Sequence, residues 1–217
     1  MQYSAKKILS GILKDDPAGV ILCRSDDEIS YLREFISGMK TADRQTPYPA
    51  APGAMISGCM KCGAGVERKN AYGTGANGVM IILNAPRMAN RVELRIHRSE
   101  SVELLRKMVN AIGLELHECY VTNVIKCDTS DPLLKPSDML RNCLDILKAE
   151  IEMVNPRIGL VMGEIVPVQP VINSSRGISW FNTEHAVSLI KNPELKRTAW
   201  ETLKVIRKRY SEIRDAG

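Results

Sequence analysis

The chain has 217 residues, and its 30 lysines and arginines exceed its 25 aspartates and glutamates, for a formal net charge of +5. Hydrophobic residues make up 44% of the sequence and charged residues 25%, which excludes disordered, collagen-like and coiled-coil chains. No apolar run approaches the roughly 18 residues of a membrane span, and the amino terminus lacks the pattern of a signal peptide. We therefore expect a cytoplasmic protein, whose mild positive charge permits a polyanionic partner without demonstrating one.

The amino-terminal part of the chain differs in pattern from the rest. Apolar stripes predict two helices before residue 40, the second of them capped by Asp26 or Asp27. Three prolines and a glycine in segment 44–53 predict a linker or an extended crossing segment. We therefore predict that residues 1–57 form a helical appendage with a Pro-rich linker, and that residues 58–217 form the main domain.

Beyond this boundary, strand and helix patterns alternate. The apolar run at 79–83 is typical of a strand buried on both faces. Strands are predicted at 79–83, 119–125, 158–163 and 178–182, and helices at 101–112, 136–154 and 194–213. Alternating strands and helices favour a parallel sheet covered on both faces. The sequence therefore predicts a three-layer α/β/α fold with a four-stranded parallel sheet.

Cysteines are the first candidates for chemistry in this sequence. Six are present, at positions 23, 59, 62, 119, 127 and 143. Without a secretory signal, cysteines indicate metal ligands or reactive thiols before disulfides. Cys59 and Cys62 form a C-x2-C pair, whereas Cys127 and Cys143 are too far apart for the second pair of a zinc knuckle. Thiolates from distant segments suit an iron–sulfur cube; the alternatives are a zinc site or ordinary buried cysteines at 127 and 143.

Several stretches together resemble the iron–sulfur branch, family 4, of the uracil-DNA glycosylase superfamily. They are C-x2-C at 59–62, L-N-A-P at 83–86, Y-V-T-N-V-I-K-C at 120–127 with Cys143 downstream, and T-E-H-A-V-S-L-I-K-N-P at 183–193. The match runs from about residue 58 to the carboxyl terminus and implies the family's parallel sheet between helices. The resemblance also implies that Cys59, Cys62, Cys127 and Cys143 ligate a 4Fe-4S cluster, and it leaves Cys119 as a core residue.

The resemblance implies hydrolysis of the N-glycosidic bond of a deaminated base during base-excision DNA repair. Breaking this bond builds positive charge on the sugar and negative charge on the departing base, and the extruded base must be held. By resemblance, Asn84 stands at the catalytic position near the sugar, and His185 donates to the leaving base. The implied base-binding residues are Asn123, His97, Ala85 and Pro86.

The sequence departs from the family at two active-site positions. Asn84 stands where the family typically has the glutamate of G-E-A-P-G, and His97 stands where a phenylalanine stacks on the base. An amide can orient water but carries no charge, so we expect uracil excision to be slow or absent. The alternative function is a glycosylase-fold protein that binds nucleic acid or a nucleotide without excising uracil. A redox role for the cluster is a third possibility, which no sequence feature specifically supports.

An arginine cluster follows the first strand of the predicted sheet. Arg87, Arg91, Arg95 and Arg98 would share a face if this segment were helical. Arginines suit phosphate oxygens through bidentate contacts, which predicts single- or double-stranded DNA, with or without uracil, as the partner. The alternative is a solvated charged surface. We further expect a monomer with no membrane partner.

Overall fold

A computed structural model describes residues 51–63, 67–85, 96–128 and 135–215. These ranges belong to the second of the two compact units into which the chain divides, Thr46–Gly217. The predicted amino-terminal helices, most of the predicted linker and Cys23 lie outside the described residues. The predicted domain division after residue 57 stays a prediction.

A four-stranded parallel sheet forms the middle layer, with strand order β3-β2-β5-β6. The strands are β1 (Glu67–Arg68), β2 (Val79–Leu83), β3 (Tyr120–Asn123), β4 (Cys127–Asp128), β5 (Ile158–Met162) and β6 (Ser179–Thr183). Ile81 of β2 pairs with Val121 on one side and with Leu160 on the other. β1 and β4 pair separately as a short antiparallel ribbon. The central strands are almost wholly apolar because helices cover both of their faces.

Helices cover the sheet on both sides. They are α1 (Ala51–Ser57), α2 (Arg98–Asn110), α3 (Pro136–Val154), α4 (Gln169–Ser174), α5 (Ala186–Lys191) and α6 (Lys196–Asp215). Helices α2, α5 and α6 pack around Ile81 and Leu160 on one face, whereas α3 and α4 pack around Met80 and Val161 on the other. This arrangement confirms the predicted three-layer fold. No helix in the described ranges is both long and apolar enough to cross a membrane.

Two predicted elements have the predicted bounds. β2 occupies 79–83 and α3 occupies 136–154. Pro136 begins α3, and Asn155 ends it in the left-handed conformation, with φ 44°. The other predicted elements are present with ends displaced by at most three residues.

The sequence interpretation missed the short elements. Helices α1, α4 and α5 and the ribbon of β1 and β4 are too short to produce a clear hydrophobic period. Residues 51–53, predicted as linker, are the first turn of α1. This helix packs against α3 and buries Ile56, so the chain already contacts the domain before residue 58.

The topology leaves a crevice at the carboxyl ends of the strands. Beyond β2 the chain continues to α2 on one face of the sheet, whereas beyond β5 it continues to α4 on the other face. Neighbouring parallel strands whose connections leave to opposite faces open a ligand-binding crevice between them. The candidate site therefore lies where β2 and β5 end, beside Asn84 and Gly163.

Candidate active site and cysteine centre

Main-chain hydrogen bonds fix the carboxyl edge of the sheet beyond the last strand residues. The N–H of Asn84 donates to Met162 O at 2.9 Å, and the N–H of Gly163 donates to Thr183 O at 2.8 Å. From the strand order, the residues across this edge are Asn123, Asn84, Gly163 and then His185. The fold thus brings the predicted catalytic and base-reading positions to one edge.

Gly163 allows the ends of β2 and β5 to approach closely. Its φ is +115°, and a Cβ at this position would lie 2.0 Å from Asn84 O. The side-chain amide of Asn182 donates to Gly163 O at 2.8 Å and to Val161 O at 3.0 Å. Only glycine meets both the conformational and the spatial requirement here. The supporting role of Asn182 was not identified from the sequence.

The side chain of Asn84 is oriented by the loop that follows β5. Its Nδ2 donates to Glu164 O at 2.8 Å. This bond uses one of the two N–H groups of Nδ2 and leaves Oδ1 available as an acceptor. The half-buried amide can therefore hold a water molecule through the water's own hydrogen, but it supplies no negative charge.

His185 is buried at the start of α5. Its Nδ1 accepts a hydrogen bond from the N–H of Val187 at 3.3 Å, so in the neutral ring the proton is on Nε2. Burial, assisted by the nearby positive charge of Lys69, lowers the pKa of His185 to about 4. At neutral pH, His185 is therefore an uncharged imidazole that presents an N–H donor. Lys69 was not identified from the sequence.

Asn123 ends β3 on the other side of Asn84. It is half-buried, and its side-chain amide makes no hydrogen bond with the residues that the structure describes. Its donor and acceptor therefore remain available for a ligand. Ala85 follows Asn84 and is exposed, whereas Pro86 lies outside the described residues.

His97 and Arg98 lie at the start of α2. His97 Nδ1 is 3.1 Å from Glu100 Oε2, so the imidazole is held along its own helix. Arg98 is exposed in the first turn. Arg87, Arg91 and Arg95 lie outside the described ranges. The base-binding role of His97 and the phosphate-binding roles of the arginines stay predictions.

Two open clefts lie away from this edge. One, of about 420 Å³, lies between the end of α3 and the residues before β6; the other, of about 410 Å³, lies along α6. Neither cleft includes Asn84, Asn123 or His185 among its lining residues. The candidate site is therefore identified by the side chains of Asn84, Asn123 and His185, and not by the size of a cleft.

The four cysteines of the predicted ligand set come together from distant segments. Cys59 and Cys62 follow α1, Cys127 lies in β4 and Cys143 lies in α3; all but the half-buried Cys59 are buried. Burial, together with the neighbouring Cys62 and Cys143, raises the pKa of Cys127 to about 12. Burial also raises the pKa of Cys143, and Cys62 and Cys59 act in the same direction.

Polar groups already point at the sulfurs of this cysteine centre. The N–H of Lys126 donates to Cys143 Sγ at 3.4 Å, and the amide of Asn142 donates to Cys62 Sγ at 3.6 Å. Across the described part of the chain, no group of three or more His, Cys, Asp or Glu side chains is arranged to hold a metal ion.

Cys119 is separate from this centre. It is fully buried just before β3, where its Sγ accepts a hydrogen bond from Asn77 Nδ2 at 3.2 Å. Burial raises its pKa to about 11. The prediction that Cys119 is a core residue is confirmed.

A buried ion pair lies close in sequence to both the carboxyl edge and the cysteine centre. The ammonium of Lys126 contacts the carboxylate of Glu150, with 3% and 0% of the two side chains exposed. Lys126 lies in the Y-V-T-N-V-I-K-C string at 120–127, and neither its pairing nor Glu150 was identified from the sequence. The available signal was a charged residue on the apolar stripe of α3 that contains Leu147 and Ile151.

A model of the uracil DNA glycosylase superfamily matches residues 70–204. The chain belongs to the uracil-DNA glycosylase superfamily. The matched range includes Asn84, Asn123, Cys127, Cys143 and His185, whereas Cys59 and Cys62 precede it. The superfamily assignment therefore covers the whole carboxyl edge and half of the cysteine centre.

Curated relatives support the predicted branch of the glycosylase superfamily. The chain is 28% identical to a type-4 uracil-DNA glycosylase of Pyrobaculum aerophilum over 51% of this chain and 58% of the relative. It is 28% identical to a type-4 uracil-DNA glycosylase of Saccharolobus solfataricus over 48% of this chain and 50% of the relative. It is 26% identical to a type-4 uracil-DNA glycosylase of Sulfurisphaera tokodaii over 70% of this chain and 80% of the relative. The matches thus span about half the length of the first two relatives and four fifths of the third.

Proposed function

We propose that the chain is a divergent iron–sulfur glycosylase that binds DNA and hydrolyses the N-glycosidic bond of a deaminated base in base-excision repair. The observation that carries this proposal is the carboxyl edge, where an acceptor at Asn84 and a neutral donor at His185 flank the crevice. Asn123 adds a free amide on the neighbouring strand. The glycosylase names of the three relatives support the same activity. Monomeric state and cytoplasmic location stay predictions.

His185 would act on the departing base. The base leaves with negative charge, which the Nε2–H of a neutral imidazole stabilises by a hydrogen bond without transferring its proton. The bond from Val187 N–H to Nδ1 holds the ring in this tautomer. The low pKa keeps it neutral at physiological pH. Asn123 would pair with the edge of the extruded base, because an amide offers both a donor and an acceptor.

Asn84 would position the attacking water. Its Nδ2 is engaged by Glu164 O, so Oδ1 accepts a hydrogen from the water and directs the oxygen's lone pair toward the sugar. The amide does not stabilise the positive charge that builds on the sugar. We therefore propose a reaction slower than that of a site with a carboxylate at this position.

The cysteine centre fits a 4Fe-4S cluster by the chemistry of its donors. Thiols from three segments lie near one another, and N–H groups point at two of the sulfurs, as is usual around iron–sulfur clusters. In such a cluster each thiolate binds its own iron, so the sulfurs do not converge on one point as they do around a single zinc ion. Cys59, Cys62, Cys127 and Cys143 would hold the cluster. When bound, it would supply a covalent tie between α1, β4 and α3.

A second candidate function is DNA binding without excision. Asn84 brings no charge to the edge, and the imidazole of His97 lies against Glu100. Arg98 remains exposed for a phosphate contact. These features favour a protein that recognises a base and releases it unchanged.

An excision assay separates the two candidates. The substrates are oligonucleotides with uracil, hypoxanthine or xanthine, single- and double-stranded, tested with the anaerobically purified protein. The variants are His185→Ala and, as a matched control, His117→Ala, an exposed histidine before β3. Excision that His185→Ala abolishes and His117→Ala preserves supports the glycosylase. Tight binding of a damaged oligonucleotide without excision supports the second candidate, and excision that His185→Ala leaves unchanged refutes the proposed site.

A further inference from the structure

The buried pair of Lys126 and Glu150 is densely hydrogen-bonded. Beyond its contact with Glu150, Lys126 Nζ donates to Thr122 Oγ1 at 2.6 Å. Glu150 accepts from Thr122 Oγ1 at 3.0 Å and from the hydroxyl of Tyr120 at 3.3 Å. The network therefore joins α3 to β3 and to the segment that follows it.

Stability alone does not explain such a pair. Removing two charges from water costs about as much as their attraction returns, so apolar residues of similar volume often stabilise a fold equally well. Charged hydrogen bonds instead hold their partners at narrow distances and angles, which apolar contacts do not. A pair with 3% and 0% exposure is thus suited to fixing a position.

The pair lies between the two functional regions of the chain. Asn123 directly follows Thr122, one of the hydrogen-bond partners of the pair. Cys143 precedes Glu150 by two turns on α3 and accepts the main-chain hydrogen bond of Lys126 at 3.4 Å. Segment 122–127 is therefore tied to α3 twice, through the ion pair and through the N–H···S bond.

We infer that Lys126 and Glu150 are positioning residues that hold Asn123 at the carboxyl edge and Cys143 at the cysteine centre in one fixed relation. This inference rests on the proposed function. The ammonium and the carboxylate touch neither the base nor the cluster. They set where β3 ends relative to α3, and so where the base-reading amide and the sulfur of Cys143 lie.

The inference is tested by removing the charges of Lys126 and Glu150 first singly and then together. Lys126→Met and Glu150→Gln each leave one uncompensated buried charge, so each lowers the melting temperature. The double variant Lys126→Met/Glu150→Gln removes both charges and keeps an acceptor for Thr122 and Tyr120, so most of the melting temperature returns. The double variant does not, however, restore the positions of Asn123 and Cys143. We expect faster loss of iron to a chelator and about tenfold weaker binding of a uracil-containing duplex.

The matched control is the exposed pair of Lys204 and Glu201, whose charged atoms are 2.7 Å apart on α6. Lys204→Met/Glu201→Gln should behave as wild type in all three measurements. A buried double variant with wild-type iron release and wild-type affinity overturns the inference and leaves the proposed function intact. If wild type binds duplexes that contain uracil, hypoxanthine or xanthine no better than thymine DNA, the proposed function fails and iron release alone decides the inference. A wild-type protein without iron leaves the decision to DNA affinity, and failure of both wild-type properties overturns both proposals.

Discussion

The cysteine centre and the carboxyl edge adjoin each other, since Asn123 and Cys127 are four residues apart, but they are built differently. The cysteine centre depends on side chains, with three buried thiols beside a buried ion pair. The carboxyl edge depends on main-chain hydrogen bonds and on the missing side chain of Gly163. Replacing the side chain of Asn84 therefore leaves these main-chain hydrogen bonds in place, whereas replacing a buried thiol changes the packing of the cysteine centre itself.

This difference explains how chemistry can diverge on a retained scaffold. Asn84 is placed by its own N–H, which donates to Met162 O whatever side chain the residue has. A glutamate or an asparagine at position 84 would thus stand at the same point of the edge.

Cys127→Ser should have the largest effect. Losing one of four thiolates should remove the cluster, which is expected to hold about four irons per chain, and with it the tie between three segments. We expect a colourless, iron-free protein with a greatly lowered melting temperature, measured by iron analysis, visible absorption and thermal unfolding.

Cys119→Ser is the control for that variant, because Cys119 is also buried but lies outside the cysteine centre. It should keep its iron and lose only part of its stability. A wild-type protein that carries stoichiometric zinc, or a Cys119→Ser protein that also loses the metal, would contradict the ligand assignment.

Restoring the carboxylate should change activity without changing the fold. Asn84→Glu/His97→Phe should raise the uracil excision rate by about 10²–10³, because a negative charge then faces the positive sugar. Asn84→Gln/His97→Phe has the same length without the charge and should give no comparable gain. Adding His185→Ala to the glutamate variant should remove the gain; if the gain persists, His185 is not the donor.

The fold was largely predictable because its long elements carry clear signals. The apolar run at 79–83 indicates a strand buried on both faces, and Pro136 with Asn155 and Pro156 marks both ends of α3. The six or seven residues of α1, α4 and α5 span fewer than two full turns of apolar periodicity. Their helices depend on contacts with the rest of the domain, such as the burial of Ile56, which local pattern does not reveal.

The candidate site was predictable only in part, for a related reason. The resemblance to the glycosylase family implied Asn84, Asn123 and His185, and the fold places these positions at one edge because the carboxyl ends of parallel strands lie together there. The bond from Asn84 to Glu164 and the pairing of Lys126 with Glu150 join residues distant in sequence. These contacts depend on the register of β2 against β5 and on how α3 packs against β3, which single residues do not encode.

The buried imidazole of His185 should make stability depend on pH. Its pKa is about 4 in the folded chain and about 6.5 when unfolded, so the unfolded state binds more protons in between. Stability is therefore complete above pH 6.5 and falls by about 3 kcal/mol as the pH drops to 4. His185→Gln should remove this component from denaturant unfolding curves measured across that range. The exposed His117→Gln should leave it unchanged, and an unaltered pH profile in His185→Gln would show that His185 is not buried in its neutral form.

A methyl group at Gly163 should damage the edge itself. Gly163→Ala combines φ +115° with a clash at Asn84 O, and we expect a loss of about 2–3 kcal/mol in stability. Gly177→Ala also has a positive φ, +80°, but meets no atom within 4 Å, so it should cost only about 1 kcal/mol. Denaturant unfolding measures both. Equal losses would mean that the close approach of β2 and β5 does not constrain the edge.

The smallest effect concerns the exposed charge of Arg98 at the start of α2. If Arg98 contacts a DNA phosphate, Arg98→Ala should weaken binding and reduce the slope of log affinity against log salt by about one unit or less. Arg176→Ala removes another exposed arginine, just before β6 at the opposite end of the strands, and should leave the slope unchanged. The contrast is informative because both variants lower the net charge by the same amount. A slope that falls equally in both would indicate a diffuse attraction between a positive protein and DNA, whereas a fall confined to Arg98→Ala would orient the DNA over the carboxyl edge.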